Sequence, residues 1–248
     1  MAPALDTSKY PEYAAECGDP SRTMKLGAGT RPAVLLMDVC DAYLSHRSPL
    51  HIPDSERAAA AISTILSVAR SSSGVSDNEK GHLSDQEALI VPVIYAQTVF
   101  KSATLRDAGL QALKNPQLSK FFCVANPDHL TGLTSIASPE DQLHPRPTDL
   151  RLQKKYPSPF FGTNLSTQLA ALGIDTLLIA GFTTSVNVRC AALDAMQSGF
   201  RPLVVADACA DWGRETHWAN LLDMGAKYGD VVSTQEAVDI IKQATTAR

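Results

Sequence analysis

The 248-residue chain carries 22 Lys and Arg against 26 Asp and Glu, a formal net charge of −4. That balance offers no electrostatic footprint for nucleic acid or an anionic membrane surface. With 44% hydrophobic residues, no apolar run of 18 and an N-terminus lacking the basic and apolar regions of a secretory signal, a cytoplasmic globular protein is expected. Cys17, Cys40, Cys123, Cys190 and Cys209 are odd in number and show no CxxC spacing, which argues against a disulfide framework or a zinc site.

Residues 1–30 are rich in Pro, Gly, Ser and charge without periodicity, and read as an N-terminal arm ahead of one domain over 31–248. Pro32 to Asp38 (PAVLLMD) is an apolar run ending in an acid, the pattern of a central parallel strand buried on both faces. Asp54 or Ser55 caps a helix carrying Ile62, Ile65, Leu66 and Ala69 on one side. Residues 71–88 are polar and read as an exposed insertion. A second strand is expected over Leu89–Gln97, with Pro92 marking a bulge or a break in its ladder.

Residues 101–148 alternate short pieces with many prolines, and pattern does not resolve them. Leu150–Lys154 reads as a third strand. After the turn PSPFFG, Thr163 caps a helix with Leu165, Leu169 and Leu172 on one stripe, stopped by Gly173. A strand over 176–181, a helix over 185–198, a strand over 202–206 ending in Asp207, a helix over 214–226, a strand over 230–233 and a helix over 234–245 complete the chain.

Strands alternating with helices predict an α/β doubly wound, three-layer sandwich around a mostly parallel sheet with right-handed crossovers. Chemistry in such sheets sits outside the carboxyl ends of the strands, where the strand order reverses. Three polar candidates fall at such ends: Asp38, Lys154 or its neighbour Lys155, and the turn 181–187. That turn passes from the apolar run at Leu177–Ala180 through Gly181 and the hydroxyls of Thr183, Thr184 and Ser185 into a helix. Backbone N–H groups and a positive dipole end collect there, a setting for an oxyanion or a low-pKa nucleophile. The residue in the nucleophile's place is Asn187.

The pieces LLMDVCDAYL with SPLHIP, KKYPSPFFGT, AGFTTSVNVRCAALDAMQSGF and RPLVVADACAD, in this order over about residues 32–245, resemble the isochorismatase-like cysteine hydrolase superfamily, nearest the N-carbamoylsarcosine amidohydrolase type. The resemblance implies Asp38 as general base, Lys154 (or Lys155) as its lysine partner, and a non-proline cis peptide at Phe182–Thr183 that turns the Thr183 N–H toward an oxyanion beside the N–H of position 187. It also implies a small-molecule substrate and a homo-oligomer of dimeric or tetrameric type, to which the arm and the pair Trp212 and Trp218 would contribute. Tyr43, Phe161, Thr184 and Trp212 are candidate substrate-binding positions. The zinc-binding Asp and His pattern of nicotinamidase relatives is not found after Asp38, and His46, His51, His82, His129, His144 and His217 show no HxH or HxxxH pairing, so no metal is expected. No GxGxxG or P-loop stands at a strand–helix junction, so no organic cofactor is expected.

Where the amidohydrolases carry Cys, this chain carries Asn187. An amide side chain cannot become a thiolate or form a thioester, which closes the covalent route at that position. Three readings follow: Asn187 replaces a Cys and disables an amidohydrolase; Asn187 is native to an acid–base enzyme in which Asp38, Lys154 and the donors of Asn187 and Thr183 hydrolyse, eliminate or isomerise; or the pocket binds a metabolite without turnover. Cys190, one helical turn on, is either a displaced nucleophile or a packing residue. Cys40 is at most pocket lining, Asp207 braces the loop after its strand, and Asp194 makes a buried hydrogen bond. Specificity is expected from the loops 40–53 and 100–148.

Overall fold

The computed structural model describes residues 24–71, 91–123 and 143–246. Six strands form one sheet: β1 (Pro32–Met37), β2 (Val93–Thr98), β3 (Leu150–Lys154), β4 (Thr176–Phe182), β5 (Arg201–Ala210) and β6 (Asp230–Val232). They lie in the order β3-β2-β1-β4-β5-β6, and every pairing is parallel. The chain therefore builds outward from β1 in one direction, then returns to its other side with β4. The expected α/β doubly wound architecture is the observed one, and the reversal between β1 and β4 opens a crevice at their carboxyl ends.

Helices α1 (Asp41–Leu44), α2 (Ser55–Ser71), α3 (Leu110–Lys114), α4 (Pro116–Phe121), α5 (Leu165–Ala171), α6 (Arg189–Gln197), α7 (Arg214–Lys227) and α8 (Thr234–Thr246) complete the described chain. β1 explains the layering. Val34 and Leu36 face one core with Ile62, Ile65 and Leu66 of α2 and Ile241 of α8. Ala33, Leu35 and Met37 face the other, with Leu165 and Leu169 of α5, Ala191 and Ala195 of α6 and Met224 of α7. Alternate side chains of one strand thus feed two cores, which is why the strand reads as an unbroken apolar run. Gly181 in β4 is required where β1 passes: its φ is +113°, and a Cβ there would meet the Met37 carbonyl oxygen at 2.2 Å.

Several boundaries differ from expectation. β2 begins at Val93, and Pro92 stands at its entrance, its carbonyl accepting the Val34 N–H at 2.9 Å, so proline occupies the one strand position where its missing N–H costs no ladder bond. β5 does not stop at Asp207 but runs to Ala210 through an irregularity in its pairing with β4. Asp207 lies inside it and accepts the N–H of Thr234, capping α8. Leu172 falls just past α5 and is exposed, while Leu165 and Leu169 are buried. Thr163 does supply its hydroxyl to the Leu165 N–H at 3.2 Å.

The expected insertion 71–88 lies, apart from Ser71 at the end of α2, outside the described residues, as do 1–23 and 124–142. Residues 26–31 run along the amino ends of the strands, where Leu26 and Gly27 donate to Asp230, and Thr30 and Arg31 to Asp175. Trp218 is half-buried against the α7 side of the core, not exposed. Among the described residues no helix is long and apolar enough to cross a membrane.

Candidate active site

At the carboxyl rim, four side chains from four elements meet. Met37 pairs with Gly181 across β1 and β4, which sets Asp38 beside the end of β4. Thr98 and Lys154 are partners across β2 and β3, so the last residues of those two strands arrive together. Asp38 turns off β1 with a left-handed φ of +46°, a conformation that costs a non-glycine residue on the order of 1 kcal/mol and swings its carboxylate into the crevice. All four side chains, Asp38, Thr98, Lys154 and Asn187, are buried.

Lys154 Nζ donates to Asp38 Oδ2 at 2.9 Å, to Thr98 Oγ1 at 2.7 Å and to Asn187 Oδ1 at 3.2 Å, which uses all three ammonium hydrogens. Asp38 Oδ1 accepts the Thr98 N–H at 2.6 Å, and Oδ2 accepts Thr98 Oγ1–H and Asn187 Nδ2–H, each at 2.9 Å. Four donors and no acceptor face this carboxyl, the environment of an ionised carboxylate. Lys155 points elsewhere. Its Nζ reaches Asp107 Oδ2 and the Val99 carbonyl, both at 2.5 Å, and lies 5.5 Å from the centre of the Phe100 ring.

Phe182–Thr183 is a cis peptide. A π-helical turn follows over Thr184–Val188 and leads into α6. Asn187 Nδ2 donates its second hydrogen to the Phe182 carbonyl at 2.8 Å. The expectation that Asn187 offers a donor to substrate is therefore corrected: both amide hydrogens are already committed, one to Asp38 and one to the backbone of the corner.

The cluster opens into a cavity of about 500 Å³. Asp38, Thr98, Thr183 and Asn187 line its floor, Tyr43, Phe122 and Trp212 its aromatic wall, and Lys114 and Asn115 stand among its polar lining. Tyr43 packs against Phe122, Phe182 and Trp212 with ring centres 5.6–6.0 Å apart. The Trp212 Nε1–H donates to the Leu50 carbonyl at 3.2 Å, tying β5's exit to the loop after α1.

Two candidate substrate positions fall elsewhere. Phe161 is exposed and packs edge-on against Tyr156, 5.1 Å between centres, outside the cavity lining. Thr184 is fully buried and lies outside the cavity lining, its hydroxyl 2.8 Å from His217 Nδ1. Thr98, which sequence reading passed over, contributes three contacts to the cluster. Its only sequence signal is position: the last residue of the strand beside β1.

No described cysteine lines the cavity. Burial, then the Asp38 charge, pushes the Cys40 thiol well up, and burial does the same for Cys209. Cys190 is raised too, by burial and then Asp194, which is the reverse of an activated nucleophile. Asp194 is half-buried and accepts Ser158 Oγ–H at 2.5 Å. Among the described residues no cluster of three His, Cys, Asp or Glu is arranged to hold a metal.

The isochorismatase domain family matches residues 32–236. Maleamate amidohydrolase of Pseudomonas putida is 31% identical over 218 residues, covering 88% of this chain and 90% of its own. N-carbamoylsarcosine amidase of an Arthrobacter species is 29% identical over 221 residues, covering 88% and 74%. A crystal structure of a cysteine hydrolase from Pseudomonas syringae pv. phaseolicola superposes with a TM-score of 0.70 at 20% identity over 87% of this chain and 94% of that one, a likeness of fold. The family match spans nearly the whole folded unit and includes every residue of the buried cluster, and so this chain belongs to the isochorismatase family as a hydrolase-type enzyme.

Proposed function

We propose that the chain hydrolyses a C–N bond in a small amide or carbamoyl compound by direct attack of water, with Asp38 as general base and no covalent intermediate. One observation carries this reading. A carboxylate surrounded by four donors lines the floor of a cavity whose nucleophile position holds an amide. A carboxyl that faces four donors and no acceptor sits in the environment of its ionised form, with no proton to deliver at the outset, which favours base chemistry on water over acid attack on a vinyl ether.

In the proposed reaction Asp38 takes a proton from water as its oxygen bonds to the carbonyl carbon. The carbonyl electron pair moves onto oxygen at the Thr183 corner. When the pair returns, the C–N bond breaks and the proton held by Asp38 passes to the leaving nitrogen. Lys154 and Asn187 act as positioning residues that fix the carboxylate through its Oδ2. The relatives named for maleamate and N-carbamoylsarcosine support a C–N substrate class.

The test is an assay of the chain against carbamoyl compounds, primary amides and vinyl ethers, with intact-protein mass spectrometry alongside. Turnover of an amide or carbamoyl compound, lost in Asp38→Asn and leaving no adduct, supports the proposal. Turnover confined to Asn187→Cys and accompanied by an acyl adduct overturns it and makes Asn187 a block in a covalent enzyme. Turnover of vinyl ethers alone, or ligand binding without product in both forms, overturns it as well.

A further inference from the structure

The buried cluster has no side-chain hydrogen left for a substrate. Lys154 gives its three to Asp38, Thr98 and Asn187, Asn187 gives its two to Asp38 and the Phe182 carbonyl, and the Thr98 hydroxyl gives its one to Asp38. Charge is closed there too, since the Asp38 carboxylate and the Lys154 ammonium neutralise one another. A molecule seated on this floor must find its side-chain donors outside the cluster.

Two hydroxyls of the cavity supply them. Tyr43 is 3% exposed and Thr183 2%. Neither hydroxyl forms a hydrogen bond with any described residue, and neither is among the side-chain atoms sealed from solvent without a partner. Each oxygen thus keeps an accessible face on a residue that is otherwise shut in, and both residues line the first cavity. Neither lines the second cavity, of about 280 Å³, which shares only Trp212 with the first.

Tyr43 is held firmly enough to aim its oxygen. Its N–H donates to the Cys40 carbonyl and its carbonyl accepts the Ile52 N–H, each at 3.0 Å. Its ring packs against Phe122, Phe182 and Trp212, so little side-chain freedom is left to lose when a ligand arrives. Burial, then the Asp38 charge, holds the phenol well above its ordinary range, which keeps it a neutral O–H near pH 7 and within electrostatic reach of the carboxylate. A phenylalanine would make the same ring contacts. The oxygen does nothing for the fold and acquires a partner only when the cavity is filled.

We infer that Tyr43 is a substrate-binding residue of the first cavity, its hydroxyl donating to the carbonyl oxygen of an uncharged amide or carbamoyl head, with the Thr183 hydroxyl as a second contact to the same head. The inference rests on the reading of this cavity as an amide site, but not on how the C–N bond is broken.

Titration of the full chain with acetamide and, separately, with acetate, followed by NMR of tyrosine labelled with ¹³C at Cζ, tests it alongside urea unfolding. Acetamide is expected to saturate and to shift the signal that is missing from Tyr43→Phe, and acetate to bind at least tenfold more weakly. In Tyr43→Phe the affinity for acetamide should fall about five- to tenfold, while the urea midpoint stays level or rises, because the deleted oxygen has no partner in the protein. On any amide or carbamoyl compound that the chain turns over, kcat/KM should fall about tenfold or more in the same variant. No saturation by acetamide, unchanged affinity in Tyr43→Phe, equal affinity for acetate, or a lowered urea midpoint accompanying the loss overturns the inference. Failure of the hydrolytic proposal looks different: an acyl adduct confined to Asn187→Cys, with acetamide still bound through Tyr43, overturns that mechanism and supports this contact.

Discussion

Strand β3 has a buried ion pair at each end, and the two differ in what surrounds them. Asp149, just before its first residue, pairs with Arg70 of α2 at 2.5 Å. Lys154, its last residue, pairs with Asp38 at 2.9 Å. At the amino end the Arg70 guanidinium also donates to the His144 carbonyl and the Tyr95 hydroxyl, and neither Arg70 nor Asp149 lines either cavity described above. At the carboxyl end Asp38 lines a cavity of about 500 Å³. Burial and pairing alone therefore do not mark a reactive group. One pair ties a helix to a loop and a strand, and the other holds a carboxylate where a substrate can reach it.

The largest separation between the two ends should appear in turnover. Asp38→Asn removes the proposed base and is expected to lower kcat by about 10²- to 10⁴-fold on whichever substrate the assay identifies. Asp149→Asn, measured on protein that circular dichroism shows to be folded, is expected to leave kcat within about twofold. Equal losses at both positions would erase the distinction.

Stability should not separate them in the same way. Arg70→Met strands the Asp149 carboxylate in the interior with the Arg146 N–H at 2.8 Å among its remaining contacts. A broken buried pair of this kind costs about 3–5 kcal/mol, read as a drop in the urea midpoint without a change in slope. Full activity of the surviving native fraction is the expected companion result.

The contrast also shows what a sequence can display. β1 and β4 are buried at every position, so PAVLLM and TLLIAGF stand out as continuous apolar runs and fix the centre of the sheet. Asp38 and Asn187 are readable because each follows such a run, whereas Lys154 ends the mixed strand LRLQK and is readable from its place ahead of the turn PSPFFG. Thr98 is not, since a threonine ending a strand is ordinary and only the β2–β3 register places it on Lys154. Arg70 and Asp149 sit in a helix end and a loop, where charge is the norm and burial leaves no trace in the pattern. The short helix α3 is illegible for a different reason: Leu110 and Leu113 are exposed, so the apolar pattern there does not report the core.

A third buried polar group, His217, provides a control that involves neither ion pair. Its native imidazole resists protonation down to about pH 4 because it is buried, whereas an unfolded histidine takes a proton near 6.5. As pH falls through that window the unfolded chain gains a proton that the native chain refuses, so stability is fully present above it and declines within it, by as much as about 3 kcal/mol. Urea titrations at pH 7 and pH 4.5 measure the decline. In His217→Gln, which keeps a polar group beside Thr184 and removes the titration, the dependence over this range should shrink by that amount.

The finest probe is Thr98→Val, which keeps shape while deleting one oxygen. That oxygen accepts from Lys154 and donates to Asp38, whereas the Thr98 N–H bond to Asp38 Oδ1 survives the change. Asp38 keeps its lysine but loses the brace that fixes Oδ2, so the carboxylate stays in the crevice with more freedom to turn. The expected cost is about 1 kcal/mol, seen as roughly a fivefold fall in kcat with KM little changed, since the contact aligns the base and does not touch substrate. Thr98→Ser restores the oxygen and should restore the rate. A fall in the valine variant that serine does not repair would mean that Thr98 acts through packing, and that the carboxyl end of β3 is held by its ion pair in the same structural sense as the amino end.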